Sequence, residues 1–238
     1  EMGFSDLQVL ITSLIFVLTM PIIENFYTLS KGEPLQLVFI LGAVIFSYSG
    51  KSQKKINLQR ILLSALCILL ATMVKETAMV MLPIFTLWAA IDFLRREPDS
   101  KKAFRSSLSL LFAAVFAVAI YFLLRSIWGA TALLGGSYTD RYLFVTTSII
   151  QKVLRWSTQF AFYFHYLIPI ILLVILLFFF DKNSFTVKEK RLIAIWSSWS
   201  LFWFGILIPW EYAELQYSLP FGFGVSILIG IVVPPVIR

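Results

Sequence analysis

Two adjacent charges, Lys75 and Glu76, interrupt the otherwise apolar run from Ile61 to Leu94 at its midpoint. An ammonium can grip an anionic group, and the carboxylate beside it can orient that ammonium or hold a cation. Placing either ion in hydrocarbon costs on the order of 2.5–3.5 kcal/mol, so ionisable groups inside apolar spans mark function by default. The bland alternative is a mutually neutralised pair at a turn. A second constellation is Glu211 and Glu214, one helical turn apart, with the hydroxyls of Tyr212 and Tyr217 beside them. Paired carboxylates divide acid and base work or hold a divalent cation. A solvated loop with Trp210, Tyr212 and Tyr217 as an interfacial aromatic belt explains the same residues. Glu24 and Glu33 belong to a short connection and read first as solvated loop carboxylates. His165, next to Tyr166, reads as a packed or snorkelling ring before it reads as a ligand.

The elements that must position these groups are membrane helices. As one straight helix, Ile61–Leu94 would be about 50 Å long at about 1.5 Å per residue, well beyond a hydrocarbon layer of roughly 30 Å. The run must therefore fold back, as a hairpin of Ile61–Val74 and Ala78–Leu94 with Lys75-Glu76-Thr77 at the bend. Composition agrees: of 238 residues, 59% are hydrophobic, 16% aromatic and only 14% charged, against about a quarter charged in soluble domains. A net charge of +7 could suggest nucleic acid, but the basic residues lie in short clusters between apolar spans rather than on one continuous face, which excludes that partner. Cys67 is the only cysteine and His165 the only histidine, so neither an internal disulfide nor a thiolate or histidine metal cluster can form. No positively charged leader opens the chain.

Apolar spans read at Leu7–Ile23, Leu35–Ser49, Ile61–Val74, Ala78–Leu94, Leu108–Leu124, Tyr166–Phe180, Leu192–Ile208 and Ser218–Val233. The expected fold is all-α, a polytopic transmembrane bundle of about eight spans forming one domain over 1–238. Three clusters are basic: Lys51, Lys54, Lys55 and Arg60; Arg95, Arg96, Lys101, Lys102 and Arg105; Lys182, Lys188, Lys190 and Arg191. With Arg238 they hold most of the Lys and Arg on one side, which the positive-inside tendency makes cytoplasmic. The opposite, extracytoplasmic face then receives Glu24–Pro34, the Lys75 bend, Arg125–His165 and Pro209–Tyr217. Within Val145–Phe164, polar Gln151, Lys152, Arg155 and Gln159 recur at near-helical spacing opposite Ile149, Ile150, Val153, Leu154 and Phe160. That pattern predicts an amphipathic helix in the membrane plane, with Lys152 and Arg155 meeting lipid phosphates; a tilted ninth span is the alternative. Gly222, Ser226 and Gly230 form a stripe of small residues suited to close helix packing.

Four segments resemble the polyprenyl-phosphate-sugar-dependent membrane glycosyltransferases of the GT-C class, the group that includes the protein O-mannosyltransferases. Pro21-Ile-Ile-Glu24 followed by Lys31-Gly-Glu33-Pro-Leu35 resembles the family's proline-and-acid segment entering a membrane helix. Leu69 through Ala78, with Leu82-Pro83 beyond, is similar to its Ser-Lys-Glu-x-Ala hairpin followed by Leu-Pro, with Val74 where a small residue is commoner. Tyr121-Phe-Leu-Leu-Arg125 resembles the helix end before an outer loop, and Glu214 through Phe223 a Glu-Arg-Tyr-x-Tyr-x-Pro-x-x-Gly-Phe segment that here lacks the arginine.

The resemblance implies an integral membrane protein of a bacterial or archaeal plasma membrane, or of the endoplasmic reticulum, with its site on the extracytoplasmic face. It implies transfer of a sugar from a polyprenyl phosphate to an acceptor hydroxyl on a protein, lipid or glycan, by an inverting displacement. Lys75, Glu76, Arg125 and Arg141 would hold the lipid phosphate, and Glu211, Glu214 and Tyr217 would contact donor or acceptor. The family's catalytic acid sits in a large first outer loop, so the base is expected upstream of Glu1 in a longer polypeptide, with Glu24 and Glu33 as substitutes. A divalent metal is the one cofactor left open, with Glu76 and His165 as its ligands. Two rivals remain: a transporter or lipid flippase, and a lipid-linked glycan polymerase or ligase.

Overall fold

The computed structural model describes residues 4–18, 32–48, 57–95, 100–127, 149–163, 185–208 and 218–237, with 168, 172, 175, 176 and 179 as isolated positions. Among the described residues there is no strand, and eight α-helices carry the fold: α1 (Asp6–Val17), α2 (Glu33–Tyr48), α3 (Leu58–Val74), α4 (Met81–Leu94), α5 (Ser100–Ile127), α6 (Ile149–Tyr163), α7 (Val187–Leu207) and α8 (Leu219–Ile237). The all-α expectation is met. Two helical stretches, Glu76–Leu94 and Lys101–Ile127, are long and apolar enough to cross a membrane by length and composition. The helices over the other expected spans are shorter or less uniformly apolar, and of Tyr166–Phe180 only five separate positions are described.

The chain divides into two compact units, one covering Gly32–Asp140 and the other Gly3–Lys31 with Arg141–Arg238.

In the first unit α5 packs along both α3 and α4, and α2 packs on α3. The expected bend is present, because α3 stops at Val74, Lys75 is extended (φ −159°, ψ 126°), and a 3₁₀ turn over Glu76–Val80 leads into α4. Its two arms, however, pack against α5 rather than chiefly on each other. Pro83 accounts for the 3₁₀ turn. In a continuous α-helix its ring would collide with the Met79 carbonyl, whereas in the first turn of a new helix it is tolerated. The interior face of α5 is made of Ala113, Ala114 and Ala117, all fully buried, while its Phe112, Val115 and Phe116 are exposed. Small residues inside let the helices approach closely, and bulky apolar residues face outward.

In the second unit α8 packs against both α1 and α7. Its small-residue stripe does the packing expected of it: a Cβ on Gly230 would strike Thr12 Oγ1 and the Gln8 carbonyl of α1. Gly224 presses in the same way on Ser200 and Trp199 of α7. Trp196, Trp199 and Trp203 form a buried ladder along α7, and the Trp199 indole donates to the Pro220 carbonyl at 2.7 Å. Capping boxes, Ser5 with Gln8 and Thr186 with Glu189, fix the starts of α1 and α7.

The amphipathic segment forms helix α6, and one residue of it departs from the sequence expectation. Lys152, expected among lipid phosphates, is 4% exposed and turned inward with Trp156. Arg155 and Gln151 are exposed, as are Ile150 and Leu154 of the expected apolar side and Phe162.

Candidate functional site

Antiparallel packing brings the start of α2, the end of α3, the 3₁₀ turn and the end of α5 to one end of the first unit. Four sequence-predicted residues meet there. Lys75 Nζ forms an ion pair with Glu33, whose residue is only 3% exposed. Arg125 Nη1 donates to Glu76 Oε1 at 3.1 Å, and the Tyr121 hydroxyl donates to the same oxygen at 2.5 Å. Each of the two adjacent charges of the bend is therefore paired with a residue of another helix, not satisfied by its neighbour alone.

Glu33 departs from the solvated-loop reading. It opens α2, where a carboxylate also favours the positive end of the helix, and its buried side chain faces the Lys75 ammonium. The carboxylate that orients Lys75 is Glu33, and Glu76 turns to Arg125. Burial sets the two pairs apart. Glu33 is nearly sealed, whereas the Glu76 side chain is 41% exposed and that of Arg125 14%. Arg125 keeps one donor over: its Nη2 is buried and has no hydrogen-bond partner among the described residues. An unmet buried donor costs about 1–3 kcal/mol, and more on a charged group, unless something fills it.

Two contributors escape a reading of charge alone. Tyr121 stands one turn before Arg125 on α5, a spacing that puts both on one helix face. Gln36 stands one turn after Glu33 on α2 and donates to the Lys75 carbonyl at 2.8 Å and to Thr77 Oγ1 at 3.1 Å. The i, i+3 and i, i+4 spacings were the available signals.

At the other end of the same unit lies a polar cluster of another kind. Asp92, 1% exposed, accepts the Ser107 hydroxyl at 2.6 Å, Ser107 and Tyr48 are 2.8 Å apart, and Ser47 and Ser64 share a hydrogen bond at 2.9 Å. All four helices contribute. Arg60, Arg95, Lys101, Lys102 and Arg105 occupy helix termini at this same end, so the segregation of basic residues seen in sequence is a segregation in space.

Glu24, Arg141, His165, Glu211, Glu214 and Tyr217 lie outside the described residues. Among the described residues no three His, Cys, Asp or Glu side chains come together as a metal site, and the Glu76 carboxylate is engaged by Tyr121 and Arg125. The arrangement at the Lys75 end can bind an anionic oxygen through Arg125 and Lys75, and can hold both cations in place through Glu76 and Glu33.

Comparison with protein-family models, with curated proteins and with solved structures finds no match to this chain.

Proposed function

We propose that the chain is the membrane-embedded part of a glycosyltransferase that moves a sugar from a polyprenyl-phosphate donor to an acceptor hydroxyl on the extracytoplasmic side. The observation that carries this reading is the buried, unpartnered Nη2 of Arg125 beside the Lys75–Glu33 pair. It is a donor suited to a phosphate oxygen, and an arginine meets phosphate with a planar fork.

Membrane embedding, with up to eight spans, is supported by the distribution of polarity in the first unit. Along α5, Ser107 and Arg125 are separated by about 27 Å at about 1.5 Å per residue, close to the roughly 30 Å hydrocarbon thickness. The charged side chains described in this unit fall near one or the other of those levels. Between them the outer faces are apolar, as Leu62, Leu66, Leu87, Val115 and Phe116 exemplify. The hydroxyls of Thr72 and Thr86 there return to carbonyls of their own helices. Basic residues at the Asp92 end support a cytoplasmic position for that end and an extracytoplasmic one for the Lys75 end.

In the transfer step the acceptor oxygen bonds to the anomeric carbon as the bond from that carbon to the phosphate oxygen breaks. The electron pair leaves with the lipid phosphate, and the acceptor proton passes to a carboxylate base. Arg125 and Lys75 offset the charge that grows on the departing phosphate. A transporter places its binding groups near mid-membrane, and the charged residues described in this unit lie toward its ends. Sugar release from polyprenyl-phosphate donors by the full-length protein is the test. Lys75→Ala should abolish transfer in protein that still inserts; near-normal transfer in that variant removes Lys75 from the mechanism, and a parent protein that releases no sugar removes the transferase reading.

A further inference from the structure

No chemistry-bearing pattern singles out Gln36, yet it is 1% exposed and lies at the centre of the charged end. Its amide nitrogen spends both hydrogens, one on the Lys75 carbonyl at 2.8 Å and one on the Thr77 hydroxyl at 3.1 Å. The Lys75 carbonyl also accepts the Ala78 N–H at 3.1 Å, the bond that opens the 3₁₀ turn, so both of its lone pairs are occupied. Lys75 is extended between two helical segments, and neither glycine nor proline stands at residues 74–77 to impose that break. Bonds from α2 hold it. One turn of α2 thus grips Lys75 at two points, Glu33 on the ammonium and Gln36 on the carbonyl. Gly32 permits the approach, since a Cβ there would stand 2.8 Å from Val74 Cγ1.

We propose that Gln36 is a positioning residue of the anion-binding end: its double donation fixes the extended break at Lys75 and so aims the Lys75 ammonium and the Glu76 carboxylate. Its consequence for lipid binding rests on the phosphate reading of Lys75 and Arg125, whereas the positioning is a property of the protein without ligand. Gln36→Leu removes both donors at similar volume.

The experiment uses the full chain in phosphatidylcholine nanodiscs. Solid-state NMR with nitrogen-labelled lysine and carbon-labelled glutamate reads the Glu33–Lys75 contact, assigned by its disappearance in Lys75→Arg. Titration with polyprenyl phosphate and with neutral polyprenol reads binding. Gln36→Leu is expected to lose the contact at unchanged helical content and to raise Kd for polyprenyl phosphate about tenfold without changing Kd for polyprenol. A contact of parental intensity in Gln36→Leu overturns the proposal, as does an equal rise in Kd for both lipids. Should that variant not accumulate in membranes, Thr77→Val removes one of the two acceptors; a severalfold rise in Kd for the phosphate alone supports the proposal, and unchanged contact and Kd overturn it. A parent chain that binds polyprenyl phosphate no better than polyprenol sinks the phosphate reading, while the NMR contact still decides the role of Gln36.

Discussion

The two ends of the first unit solve the problem of polar groups in apolar surroundings in different ways. At the Asp92 end one carboxylate is sealed among helices, with hydroxyls from α2, α3 and α5 in the same polar layer and Ser107 donating to it directly. Apart from Asp92 its members are hydroxyls, those of Ser47, Tyr48, Ser64 and Ser107, which adapt because each both donates and accepts. At the Lys75 end two acids and two bases pair across helices, one pair nearly sealed and one open to the exterior, and an arginine donor is left over. The first arrangement ties helices together. The second holds charges in readiness, which a fold alone does not require, because buried ion pairs contribute little net stability compared with apolar packing.

Variants that move one end and spare the other sharpen this contrast or break it. The largest effect is expected at Lys75, where replacement by Ala lowers sugar transfer by about 10²–10³-fold, the scale for removing a group that stabilises developing charge. Next comes Asp92→Leu, which strips Ser107 of its charged acceptor. It should lower unfolding free energy by about 3 kcal/mol, read as a depressed thermal midpoint in detergent, with transfer per folded molecule unchanged. A loss of transfer as deep as that of Lys75→Ala would erase the distinction between the ends. Arg125→Lys keeps the charge but not the fork that bonds Glu76 through Nη1 and leaves Nη2 over for a phosphate oxygen, and about a tenfold fall in transfer is expected. The smallest effect belongs to Tyr121→Phe. Glu76 Oε1 loses one of two donors, worth about 1 kcal/mol or roughly fivefold in transfer; a larger loss than for Arg125→Lys would make the tyrosine the principal partner of Glu76.

Much of the helical scaffold was legible in the chain, because apolar runs, capping boxes and Pro83 act locally. The break at Lys75 and Glu76 was legible for the same reason. The partners were not: Glu33 meets Lys75 from 42 residues away and Arg125 meets Glu76 from 49, and only packing decides such encounters. Asp92 passed as part of the apolar run ending at Leu94, although a lone carboxylate in the last turn of such a helix was a visible signal. In α6 the amphipathic pattern was read correctly except at Lys152, because periodicity does not say which polar side chain the surrounding chain covers. The small stripe of α8 shows the opposite case, since absence of a side chain means close approach wherever the neighbour comes from.

The contact between Gly32 and Val74 carries a lesson for comparing this protein with homologues. A Cβ at Gly32 would stand 2.8 Å from Val74 Cγ1, so the two positions share one fixed allotment of space. In chains that place a small residue at the position of Val74, the glycine is free to acquire a methyl or a hydroxyl, and the two sites should change together, one growing as the other shrinks. Such paired exchange in an alignment would trace the same helix junction through sequences too divergent to be matched by their motifs.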